Sequence, residues 1–113
     1  MSIPLEFYDD PESAPQPPDQ VRITEVRADP LPDRRRVVIT VKLTPFLKKP
    51  SFDVTLFRDG VEQRSTSVVG VMQPEAQFTM HLSSNPAGAY VVRVHLLREG
   101  GIQQAETVAF EVR

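Results

Sequence analysis

Residues 86–98, PAGAYVVRVHLLR, constrain the fold of this chain more than any other stretch. Tyr90, Val92, Val94 and Leu96 alternate with Val91, Arg93, His95 and Leu97. A period of two belongs to an extended strand with one buried face. Asn85, Pro86 and Gly88 precede it and supply turn chemistry, and Gly88 can take a positive φ at which a Cβ would clash. We read this stretch as the central strand of a β-sandwich, with Tyr90, Val92, Val94 and Leu96 inward.

The rest of the chain supplies six further strands. Residues 21–27 form a weakly patterned first strand, which Pro30 and Pro32 should end. Residues 35–43 follow, with Val37, Ile39, Val41 and Leu43 inward, and then a loop over 44–51. The third strand, 52–58, turns Phe52, Val54 and Leu56 inward, and Asp59-Gly60 predicts a type I′ hairpin. The returning strand, 61–69, is polar and suits an exposed edge. A loop over 70–75 leads to a strand at 76–82, with Phe78, Met80 and Leu82 inward. After the opening stretch, residues 99–101 turn the chain into a last strand over 103–112, with Val108, Phe110 and Val112 inward. No 12-residue window shows helical periodicity, and prolines break most candidates.

Gly88 two residues before Tyr90, at the entry of an alternating strand, resembles the corner that opens strand F of immunoglobulin-like sandwiches. There the tyrosine hydroxyl bonds back to the turn. Seven strands at roughly ten-residue spacing extend the resemblance over about residues 21–112, to immunoglobulin-like or fibronectin type III-like domains. The expected fold is an all-β, seven-stranded immunoglobulin-like antiparallel β-sandwich (21–113) with an N-terminal extended tail (1–20). Val92 stands where antibody domains carry a cysteine, and the chain has no tryptophan, so it looks like the cysteine-free bacterial sandwiches. PAGAYVVRV and the closing AETVAFEV are similar to the end of the intracellular proteinase-inhibitor family of Bacillus type. That resemblance implies an alternative function, intracellular protease inhibition, but carries no inhibitory residue across.

The tail differs from the body. Residues 1–20 hold five carboxylates (Glu6, Asp9, Asp10, Glu12, Asp19) and no lysine or arginine. The other 93 residues hold thirteen basic and ten acidic side chains, a formal +3, too weakly basic to predict a nucleic-acid partner. Residues 13–20 are proline-rich and should be extended and semi-rigid. Before them Ile3, Leu5 and Phe7 alternate, with Tyr8 beside them. A solvated tail rarely carries so many apolar residues. We read this segment as a docking peptide, able to add to an open sheet edge of its own domain or of a second copy. With no apolar run long enough for a signal peptide or a membrane span, the expectation is a cytoplasmic protein with no membrane partner.

Catalytic chemistry finds little support in the residues. No cysteine is present. His81 and His95 each lie opposite their strand's inward set, on strands expected in different sheets, whereas a zinc site needs three or four close ligands. The hydroxyl runs at 65–67 and 83–84 have no base at a recognisable spacing. Gly100-Gly101 lacks the Lys-Ser/Thr of a phosphate loop. Residues 34–36, three arginines, read as a solvated strand start. Phe57 is the one candidate sugar platform, so a small-molecule ligand is not expected. No enzyme, cofactor or metal is expected.

Alternating strand directions place the loops 44–51 and 70–75, the turn near 100 and the start of the first strand at one end. That end offers Phe46, Leu47, Lys48, Lys49, Val71, Met72 and Ile102. Together with Ile3, Leu5, Phe7 and Tyr8 it forms the expected site for a protein partner or for self-association, including a homodimer.

Overall fold

The computed structural model describes residues 14–113. Ile3, Leu5, Phe7 and Tyr8 lie outside the described residues. Among the described residues seven strands follow one 3₁₀ turn, Pro18–Gln20. They are β1 (Ile23–Pro30), β2 (Arg36–Leu43), β3 (Phe52–Arg58), β4 (Val61–Val68), β5 (Glu75–His81), β6 (Gly88–Arg98) and β7 (Gly101–Val112). Every strand pairing is antiparallel. One sheet has the order β1-β2-β5, the other β4-β3-β6-β7. The result is an all-β, seven-stranded sandwich of three strands on four.

The alternating strands fill the space between the sheets. Val37, Ile39 and Val41 of β2, Phe52, Val54 and Leu56 of β3, and Tyr90, Val92, Val94 and Leu96 of β6 are all buried. Tyr90 closes the corner expected of it: its hydroxyl donates to the Pro86 carbonyl at 2.6 Å. Its ring stacks on Phe110, directly opposite on β7, with centroids 4.9 Å apart. Gly88 has φ +152°, and a Cβ there would come within 3.0 Å of the Arg58 side chain. Asp59 and Gly60 both have positive φ, at 49° and 82°, as a type I′ hairpin requires.

Several boundaries differ from those read in the sequence, each for a physical reason. β1 continues to Pro30, which pairs opposite Val37. Leu31 N–H donates to Arg36, so the hydrogen-bonded pairs in this ladder alternate and the proline's missing N–H faces the open edge. The weak pattern of β1 comes from a bulge between Ile23 and Glu25, which sets Ile23 and Val26 on the same inner face. β7 starts two residues early, because the β6–β7 turn is only Glu99-Gly100. The proline-rich segment bends into the 3₁₀ turn, helped by Pro18 at its first position.

The β1–β2 connection is held by Asp33. Its carboxylate accepts Arg35 N–H at 2.9 Å and Arg36 Nε at 2.8 Å. These bonds, the first the larger, hold the Asp33 pKa below its ordinary 3.8. A lowered folded-state pKa contributes stability at neutral pH that is lost as pH falls through the folded value. Asp33→Asn is therefore expected to lower the melting temperature at pH 7. The gap to the parent should close as pH drops below about 4, the unfolded carboxylate value. Melting curves at pH 7, 4 and 2.5 check this; a gap that widens in acid would contradict it.

Candidate functional site

The loop end of the sandwich is organised by the β2–β3 connection. Thr44 extends the β1–β2 ladder: its N–H donates to Arg22 O at 2.8 Å, and its hydroxyl accepts Arg22 N–H at 2.9 Å. Gln16 N–H then donates to Pro45 O, and Leu47 N–H donates to Gln16 O, each at 2.9 Å. The chain before β1 thus lies as a short parallel bridge beside this loop. Gln103 Nε2 pins the same segment from β7, donating to Pro18 O at 2.7 Å and Val21 O at 2.8 Å. On the far side Pro50 O accepts Val71 N–H, Ser51 Oγ accepts Gly70 N–H, and Ser51 O accepts Leu97 N–H. The β2–β3 loop therefore ties the β4–β5 loop and β6 to one wall.

This end holds both plugs and projecting tips. Val71, expected as a tip, is buried, and Phe46 packs against the core; these two close the sandwich. Leu47 is 67% exposed, Met72 71% and Ile102 50%. Val69, read from sequence as the end of a polar edge strand, is 81% exposed and joins them. Its signal in the sequence is an apolar residue placed after a polar run and just before Gly70. Lys48 and Lys49 are exposed and, among the described residues, form no ion pair. They border a cleft of about 410 Å³ whose lining also includes Val21, Pro50, Leu96 and Leu97.

Elsewhere the candidate chemistry resolves into structure. His81 is on β5 and His95 on β6, in different sheets. Among the described residues no group of three or more His, Asp or Glu side chains could hold a metal ion. Ser67 donates to Asp53 at 2.7 Å, Ser65 shares a hydrogen bond with Thr55, and Ser83 donates to Asn85 O. The Phe57 ring lies under the Arg93 guanidinium at 5.0 Å, so it is not an open platform. Arg36 of the arginine run is held by Asp33. No helix among the described residues is long and apolar enough to cross a membrane.

No family model and no curated protein matches the chain. Among solved structures, the chain is similar to the Bifidobacterium dentium β-glucuronidase complexed with coumarin-3-O-glucuronide. The two are 16% identical with a TM-score of 0.50 over 82% of this chain. This chain spans only 17% of the length of that one. The likeness is one of fold, a β-sandwich domain.

Proposed function

We propose that this chain is a non-enzymatic protein-interaction domain that docks its partner on the loop end. The carrying observation is the exposure of Leu47 and Met72 beside two lysines that form no ion pair among the described residues. Burial of each such apolar side chain in an interface is worth about 1.5–3 kcal/mol. Lysines at the rim contribute little affinity but steer a partner of opposite charge. The partner that fits is a protein surface with an apolar centre and carboxylates around it. The test is affinity capture by the full chain, compared with Leu47→Asp/Met72→Asp and Lys48→Glu/Lys49→Glu. Both variants alter exposed side chains, so melting temperatures should stay within a few degrees. The expected result is a stoichiometric partner whose affinity falls at least tenfold in each variant. Equal binding by all three chains would contradict the reading.

A further inference from the structure

The two long seams of the sandwich are finished differently. Along β1 and β7 the Gln104 side chain bridges the sheets. Its Oε1 accepts Ile23 N–H at 2.7 Å, and its Nε2 donates to Ile23 O at 3.1 Å. Along β4 and β5 no such bridge occurs among the described residues, and the seam is a groove of about 600 Å³. The cause is the strand count. β5 ends the three-stranded sheet, while β4 extends the other sheet by one strand. Among the described residues no fourth strand covers the inner side of β4, where Arg64, Thr66 and Val68 share the face of Leu56, Val54 and Phe52.

The hydrogen-bond phase shows which groups are left over. Leu43 N–H donates to Pro74 O and Leu82 N–H to Arg35 O. In this register the bonded pairs of the β2–β5 ladder include Ile39–Phe78 and Val37–Met80. Gln77, Thr79 and His81 therefore turn their backbone N–H and C=O groups to the open edge. The groove beside that edge has an apolar floor of Phe78, Met80 and Val68. Its lining includes Arg64 and no carboxylate, and among the described residues Arg64 has no hydrogen bond or ion pair. An unpaired inward charge guards an edge against indiscriminate pairing. The occupant that fits is an extended segment bringing apolar residues at alternate positions together with carboxylates.

We propose that residues 3–10 of this same chain, IPLEFYDD, add to the β5 edge as a fourth strand. Ile3, Leu5 and Phe7 alternate, and Glu6, Asp9 and Asp10 supply negative charge without a single cation. The described chain begins at Ala14, two residues before Gln16, whose N–H donates to Pro45 O at the end of the molecule where β5 starts. Running back from there, the segment lies antiparallel to β5, the more stable pairing. Six to eleven extended residues separate Ala14 from Tyr8 and Ile3, a reach of about 20–40 Å, enough to travel the length of the seven-residue β5. This strand is independent of the loop-end reading, because it uses the open long edge of β5 and none of the exposed tips.

The experiment is residue-resolved amide exchange on the full chain, on full-length Leu5→Ser/Phe7→Ser, and on full-length Arg64→Glu. The Phe78 and Met80 amides, bonded to β2, report whether the sandwich itself is intact. The proposal predicts at least tenfold faster exchange at Gln77, Thr79 and His81 in both variants, with Phe78 and Met80 unchanged. Adding a synthetic peptide of residues 1–13 to Leu5→Ser/Phe7→Ser should restore the protection. Equal edge exchange in all three chains would overturn it. Protection that grows with protein concentration, together with a dimer in sedimentation, would also overturn it, since the strand would then come from a second copy.

Discussion

Replacing Tyr90 by alanine is expected to destabilise the domain by about 3–5 kcal/mol, the range for removing a buried aromatic ring. That is a large part of the ~5–15 kcal/mol that holds a small domain together. The side chain is only 2% exposed, stacks on Phe110 and lies 6.0 Å beneath the Arg58 guanidinium. Tyr90→Phe isolates the corner hydrogen bond to Pro86 O, and its expected cost is about 1 kcal/mol, the net worth of one such bond. Urea denaturation with an unchanged m-value gives both numbers. A Phe variant as damaged as the Ala variant would mean that the hydroxyl, not the ring, holds the corner. A Phe variant equal to the parent would mean the bond contributes nothing.

The second large effect concerns two phenylalanines on one strand. Phe52 and Phe57 are five positions apart on β3, so they face opposite sides of the sheet. Phe52 is fully buried, with its ring 6.4 Å from that of Phe78 across the sandwich. Phe52→Ala is expected to cost about 3–5 kcal/mol, with transfer and cavity terms adding. Phe57 is half-buried and covered mainly by Arg93. Phe57→Ala should cost about 1 kcal/mol, typical of a partly exposed contact with a cation–π component. A larger loss for Phe57→Ala than for Phe52→Ala would show β3 displaced by one residue, since a one-residue slip exchanges the two faces.

Legibility in the sequence follows from how a strand is buried. β2, β3 and β6 lie inside their sheets, so every second residue is apolar and the alternation reads directly as Val37-Ile39-Val41, Phe52-Val54-Leu56 and Tyr90-Val92-Val94. β1 is an edge with a bulge, which breaks the period of two between Ile23 and Val26. β4 is exposed along nearly its whole length, so its polar residues record no inner face and no choice of sheet. The candidate site was legible as a place, because alternating strand directions bring the loops to one end. It was not legible in detail: adjacent Val71 and Met72 take opposite fates, one buried and one projecting, through the bond from Val71 N–H to Pro50 O. Loops have no period from which such a choice can be read.

Three strands on four is the feature from which the open β5 edge and the seam beside it follow. It rests on β4 pairing with β3 and not with β5. Cross-strand proton NOEs measure this directly. In the β3–β4 ladder the close, non-hydrogen-bonded pairs are Asp53–Ser67 and Thr55–Ser65, because Leu97 N–H donates to Ser51 O and Asp59 N–H to Ala89 O, which sets the phase of β3. Strong Hα–Hα NOEs are expected for Asp53–Ser67 and Thr55–Ser65, with none between the backbones of β4 and β5. Hα–Hα NOEs linking residues 61–68 to residues 75–81 would place β4 in the other sheet and contradict the architecture.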